Sequence, residues 1–156
     1  MRDPSVALRS ALIGRYLPDL SPRQRQTLAL IARDERPTIG TYLMREGRPT
    51  LDLGVIVEGR LAVRDRIGPD DVTLMTLDPG DVFGWSAVLD GISTASIVAD
   101  AGARVLLFDG AALRDALAAD PEMALVMYRR LLEAVARRLD ATRMLARDVY
   151  AFRDTA

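Results

Sequence analysis

Residues Gly80–Ala99 read Gly-Asp-Val-Phe-Gly-Trp-Ser-Ala-Val-Leu-Asp-Gly-Ile-Ser-Thr-Ala-Ser-Ile-Val-Ala. Val82 and Phe83 end a strand, and Gly84 permits a tight turn with close main-chain approach. The residues after it make one helical turn, and a run of small residues then returns as a strand. A strand that stops just before a helical turn presents unspent backbone N–H groups, which favour an anion without any side-chain charge. Thr94 and Ser96 add hydroxyl donors. The competing reading makes Gly84 a barrel corner and Thr94 and Ser96 ordinary strand residues.

Working outward, the segment from Thr38 to Asp109 is broken by glycine and aspartate into short apolar stretches. Leu61 and Val63 alternate with Arg60, Ala62 and Arg64; Thr73, Met75 and Leu77 alternate with Val72, Leu74 and Thr76. Ile67-Gly68-Pro69-Asp70-Asp71 reads as a hairpin loop. Many short strands with regular turn signals predict a small antiparallel barrel or jelly roll.

Helical patterns flank this region. Asp3-Pro4 reads as an N-cap with proline at the first helical position, and Val6, Leu8, Leu12 and Ile13 give that helix an apolar side. Ser21-Pro22-Arg23-Gln24 is a capping box opening a helix that ends near Arg33, with Leu28, Ile31 and Ala32 inward. Asp109 caps a short helix through Leu117. Asp120-Pro121 starts a long one to about Tyr150, about 45 Å at 1.5 Å per residue. Leu125, Tyr128, Leu132, Val135, Leu139, Thr142, Ala146 and Val149 follow 3-4 spacing, a heptad-like seam, while Leu131 and Met144 lie off it, toward the barrel. The expected fold class is α+β, mainly β: an antiparallel double-stranded β-helix or jelly-roll barrel with N-terminal helices and a long C-terminal helix. One domain is expected over residues 1–156, with helices in 1–36, the β-roll in 37–109 and helices in 110–150.

Composition narrows the chemistry. The 156 residues carry a net charge of −1, so no global field attracts nucleic acid or an anionic membrane. No apolar run is long enough to span a bilayer and no signal peptide opens the chain, so a cytoplasmic location is expected. Cysteine, histidine and lysine are all absent, and the 21 basic residues are arginines. That excludes thiolate, Ser-His-Asp and Schiff-base lysine mechanisms; no catalytic constellation is visible, and no enzyme is expected. Asp70-Asp71 and Asp78…Asp81 read as turn aspartates rather than metal ligands. Arg129, Arg130, Arg137, Arg138 and Arg143 interleave with Glu133, Asp140 and Asp148 as a solvated ion-pair face.

Three pieces of the chain resemble the cyclic-nucleotide-binding domain family, which includes the sensor half of catabolite-activator-type regulators. The first is Gly40-Thr-Tyr-Leu-Met-Arg-Glu-Gly47 with Leu53-Gly-Val-Ile-Val-Glu-Gly-Arg-Leu-Ala-Val63. The second is Leu77-Asp-Pro-Gly-Asp-Val-Phe-Gly84. The third is Ala136-Arg-Arg-Leu-Asp-Ala-Thr142. The resemblance implies a ligand cassette formed by Phe83, Gly84, Trp85, Ser86, Ala87, Ser93, Thr94 and Ala95, with Thr142 reaching the ligand from the long helix. Family cassettes read Gly-Glu, a short helix, then Arg-Ser/Thr-Ala. Here Trp85 replaces the acid that grips a sugar hydroxyl and Ser93 the arginine that grips a phosphate, while Thr94-Ala95 persists.

A charge-assisted arginine contact contributes about 1.5–3 kcal/mol, so its loss weakens a phosphate ligand by about tenfold to more than a hundredfold. Asp90 in the same loop adds repulsion, and an arginine restored at Ser93 is expected to raise affinity. Trp85 is either a plug in the barrel or the wall of a remodelled pocket; Thr142 is either a ligand contact or a seam residue.

The expected function is a regulatory small-ligand module with weak, altered or lost cAMP and cGMP binding. The alternatives are a ligand-free dimerisation or protein-interaction domain and the sensor part of a transcriptional regulator. A cyclic nucleotide or another small anion is the candidate ligand, and no cofactor is required. A homodimer through the long helix is expected, with a protein partner as the other occupant of that helix. No helix-turn-helix follows the long helix, so direct nucleic-acid binding is not expected.

Overall fold

The computed structural model describes residues 3–154. Asp3 caps α1 (Pro4–Tyr16), its side chain accepting from the Ser5 N–H. The capping box between Ser21 and Gln24 opens α2 (Pro22–Ile31). Eight strands follow: β1 (Ala32–Glu35), β2 (Tyr42–Met44), β3 (Asp52–Glu58), β4 (Leu61–Ile67), β5 (Asp70–Leu77), β6 (Val82–Phe83), β7 (Ser96–Ala99) and β8 (Arg104–Asp109). A 3-10 turn, Trp85–Leu89, lies between β6 and β7. Helices α3 (Gly110–Ala119), capped by Asp109, and α4 (Pro121–Asp154) complete the described chain.

The strands form two four-stranded antiparallel sheets, ordered β1-β8-β3-β6 and β2-β7-β4-β5. The jelly-roll architecture expected of the sequence is the one observed. The alternation of β3 explains how the layers stack. Leu53, Val55 and Val57 point to a core shared with Leu12, Ile13, Leu28, Met123, Met127 and Leu131 of the helices. Ile56 points the other way, into the roll, with Leu61, Val63, Leu77, Phe83 and Ile97. Both faces of β3 are therefore buried, which accounts for its unbroken apolar run from Leu53 to Val57. The β4–β5 hairpin turns at Gly68-Pro69, with Ile67 paired to Asp70.

Several boundaries differ from expectation. The second helix ends at Ile31, not near Arg33, and the sheet begins at Ala32, ahead of residue 37. Ala32–Glu35 pairs with β8, from Ala32 opposite Phe108 to Glu35 opposite Val105. That ladder and its ion pairs outweigh the helical period of the preceding turn. Arg33 meets Asp52 at 2.9 Å, and Asp34 takes two bonds from Arg104, at 2.9 and 2.6 Å. Leu8, expected on the inner side of α1, is 51% exposed because the helix turns Leu12 and Ile13 inward instead. Met144, expected to face the barrel, is 66% exposed because it lies past the last turn of α4 that touches the core, whose final buried residue is Ala134. Helix α4 runs four residues beyond Tyr150, to Asp154. No helix among the described residues is long and apolar enough to cross a membrane.

The Arg104 guanidinium holds the Asp34 carboxyl below the usual carboxylate range, chiefly by direct hydrogen bonding. A depressed folded-state pKa contributes stability that is complete above the unfolded value and is lost as pH falls through the folded one. Replacing Asp34 by Asn is expected to destabilise the fold by about 1–3 kcal/mol at neutral pH. Urea unfolding of both proteins checks this: the gap should narrow as pH drops from about 5 to about 2.

Candidate functional site

Two close approaches set the position of the Gly80–Ala99 segment. Phe83 pairs with Gly54 across β6 and β3, and its ring fills the space a side chain at residue 54 would need. A Cβ there would lie 2.1 Å from the ring. At the next residue the chain turns through Gly84, whose φ is +76°. A Cβ on Gly84 would lie 2.2 Å from the Asp52 carbonyl oxygen. Ala87 and Val88 then bury into the core side of the turn, and the Arg114 guanidinium donates to the Ala87 carbonyl from α3.

The return path is fixed by pairing with residues 47–50. Gly47 N–H donates to the Ser93 carbonyl at 2.8 Å, Ser93 N–H to the Arg48 carbonyl at 2.9 Å, and Thr50 N–H to the Gly91 carbonyl at 3.0 Å. Ser93 is 3% exposed, and its Oγ lies 2.6 Å from Thr50 Oγ1.

These constraints leave a cavity of about 190 Å³ between the β-roll and α4. Phe83, Gly84, Trp85, Ser86, Thr94 and Ala95 line it from the segment. Met44, Val63, Leu74, Met75 and Ile97 line it from the roll, and Arg138 and Thr142 from α4. Most of the residues expected at a ligand site are thus brought together. Ala87 and Ser93 are not among them. Ala87 is fully buried, and its N–H donates to the Gly84 carbonyl at 3.0 Å, which removes one amide from the expected main-chain cradle. Ser93 turns inward to Thr50, so the residue that faces the cavity is Thr94. An arginine at Ser93 would start from this closed contact with Thr50, whereas one at Thr94 would begin at the cavity wall.

Some of the remaining expectations change with the geometry, while the turn reading of Asp78 and Asp81 holds. Ser96 Oγ accepts from the Glu46 N–H on the outer face, away from the cavity. Asp90 is 85% exposed and lies 3.5 Å from Arg114, so it adds no charge inside the cavity. Asp78 and Asp81 form a turn in which Asp78 N–H donates to the Asp81 carboxylate at 2.8 Å. Trp85 is a half-buried wall of the cavity, packed by one side against the helical core, rather than a plug that closes it. The Thr142 hydroxyl donates to the Arg138 carbonyl at 2.9 Å, one turn earlier. Its oxygen keeps lone pairs for a donor in the cavity.

Arg138 is the site residue that sequence reasoning placed wrongly. Arg129 and Arg130 do pair with Glu133, as a solvated face requires. Arg138 instead leaves that face and turns half-buried toward the cavity. Its guanidinium carbon sits 5.4 Å from the centre of the Trp85 ring, within cation–π range. Nη2 lies 3.5 Å from the Val82 carbonyl, and no ion pair forms with it among the described residues. Burial pushes its pKa down, partly offset by the charge of Asp81. A usable signal lay in the spacing, because Arg138 precedes Thr142 by four residues and so shares its helix face.

Residues 38–120 match the family described as the cyclic nucleotide-binding domain. A cyclic nucleotide-binding domain from Methylobacillus flagellatus superposes with a TM-score of 0.79 at 22% identity, over 92% of this chain and 86% of that one. A cAMP-binding acyltransferase from Mycobacterium smegmatis is 26% identical with a TM-score of 0.68, over 89% of this chain but 43% of the acyltransferase. Among curated proteins, glutaminase 2 of Bradyrhizobium diazoefficiens is 29% identical over 125 residues, covering 80% of this chain. The chain spans 20% of that protein's length. A family match over more than half of the residues, on the fold that family adopts, makes this chain a member of the cyclic nucleotide-binding domain family.

Proposed function

We propose that the chain is a non-catalytic regulatory module that binds a small organic anion of the cyclic nucleotide class between the β-roll and α4. The observation that carries this reading is the composition of the cavity wall. One side belongs to the Phe83–Ala95 segment and the other to a long helix, so an occupant touches both. A ligand with different affinity for two arrangements of that helix shifts their populations. The relatives support a regulatory role, since the acyltransferase and the glutaminase are both longer proteins of which this chain matches a part. Cytoplasmic placement goes with this reading.

Binding of cAMP or cGMP is expected to be weaker than in a cassette with its full charge complement. Trp85 and Thr94 occupy the positions that face the cavity, and neither carries charge. The loss of one charge-assisted contact corresponds to about tenfold to a hundredfold in affinity.

The same reading includes a homodimer through α4. Leu125, Tyr128, Leu132, Leu139 and Val149 lie exposed along its expected seam. A 34-residue helix with so many bare apolar side chains gains from covering them with its own equivalent. A ligand-free dimerisation domain is the second reading, favoured by this same exposed row and by the uncharged cassette.

Two measurements check the proposal. Titration of cAMP and cGMP, followed by fluorescence of the single tryptophan, should saturate in the wild type; Thr94→Arg should bind about tenfold or more tightly. Ser93→Arg, by contrast, forces a guanidinium into a closed site and should cost about 3 kcal/mol or more of stability. No response in either the wild type or Thr94→Arg supports the ligand-free reading. Light scattering should give a dimer, and Leu132→Glu with Leu139→Glu should give a monomer; a monomeric wild type overturns the dimer proposal.

A further inference from the structure

Eight arginines belong to the β-roll and the loops that join its strands, and their partners divide them into two groups. Arg33, Arg36, Arg60, Arg64 and Arg104 each form an ion pair. Arg45, Arg48 and Arg66 form none among the described residues, and all three line one concavity of about 470 Å³ on the β2-β7-β4-β5 sheet. The alternation of β7 fixes which face of that sheet it occupies. Ile97 lines the ligand cavity, and Ser96 beside it lines the concavity, so the concavity lies on the outer face. One wall is the loop after β2, with Arg45, Glu46 and Arg48; the other is the β4–β5 hairpin, with Arg66, Pro69 and Asp71. Asp71 is already engaged, by Arg64 Nη1 and by the Tyr42 hydroxyl, each at 3.4 Å. Glu46 forms no ion pair among the described residues, so three guanidiniums stand against one uncommitted carboxylate. Arg45 is held in place by stacking, its guanidinium carbon 3.9 Å from the centre of the Tyr42 ring, which leaves its N–H edges free. Ser96 Oγ accepts from the Glu46 N–H at 3.0 Å and keeps its own hydrogen to donate.

The geometry points to this concavity as a docking surface for an acidic segment of a partner protein, with Arg45, Arg48 and Arg66 taking its carboxylates. A guanidinium matches a carboxylate with two parallel hydrogen bonds. The cations stand on both walls, and carboxylates spaced along one polypeptide can meet both. Nucleic acid is the poorer occupant. Its unbroken row of phosphates would run against Glu46 and Asp71, and a chain of net charge −1 gives it no long-range attraction. Because the surface lies across the sheet from the ligand cavity, the assignment does not depend on what that cavity binds.

The probe is an octaglutamate peptide labelled with fluorescein, with labelled octaglutamine as the neutral control, followed by fluorescence anisotropy at about 50 and about 200 mM salt. Wild type should bind octaglutamate and not octaglutamine, and more weakly at the higher salt, as screening requires. Arg48→Gln with Arg66→Gln should weaken binding about fivefold or more, and Glu46→Gln should strengthen it about twofold. Arg15→Gln with Arg23→Gln removes the same charge from exposed positions on α1 and α2. That control should stay within about twofold of wild type, with circular dichroism confirming that every variant is folded. No octaglutamate binding by the wild type overturns the proposal, as does an equal loss in the two double variants. Tighter binding of inorganic pyrophosphate or of a DNA duplex than of octaglutamate overturns the acidic polypeptide as the occupant.

Discussion

The structure around the cavity depends on the absence of side chains at two glycines. At Gly54 the ring of Phe83 fills the space above β3, and at Gly84 the chain passes against the carbonyl of Asp52. Together they seat β6 and the 3-10 turn directly on β3; a larger residue would have to displace the Phe83 ring at position 54 and main chain at position 84. Overpacking of this kind costs about 1–3 kcal/mol or forces a local rearrangement. The turn cannot drift outward, so Trp85 and Ser86 stay at the cavity edge. The pairing of residues 47–50 with 91–93 then determines which residue of the returning strand faces inward.

Charge is distributed unevenly around this scaffold. The strands bind each other with ion pairs on the outside, where Arg104 joins Asp34 and Glu58 across three strands. Inside the roll the walls are apolar and hydroxyl-bearing, and among the described residues the one cation at the cavity comes from a different layer of the fold. A guanidinium on a helix responds to motion of that helix, whereas one on the cassette would respond only to the cassette. Arg138 therefore joins α4 to the cassette, through the Trp85 ring and the Val82 carbonyl. The exposed row from Leu125 to Val149 lies on the same helix, along the surface that the proposed dimer would cover.

Much of this was legible in the sequence because local chemistry and tertiary structure agree. Ser21 and Gln24 form the capping box their spacing implies, Asp109 caps α3, and Gly68-Pro69 makes the hairpin turn. The Phe83-Gly84 step marks the start of the cassette. What was not legible depends on contacts distant in the chain. Residues 32–35 continue a helical pattern, yet they pair with β8 because partners for Arg33 and Asp34 lie on β3 and β8. Thr94 rather than Ser93 faces the cavity because Thr50, forty-three residues earlier, takes the Ser93 hydroxyl. Arg138 reads as one charge among many on an alternating face, and only the position of Trp85 shows that it differs from its neighbours.

The most direct test of the central claim is a structure determined with cAMP bound. If the cavity is the binding site, the nucleotide will lie between the two layers, within about 4 Å of Trp85 on one side and of α4 on the other. Nucleotide bound elsewhere on the surface, or an empty cavity at saturating cAMP, would contradict it.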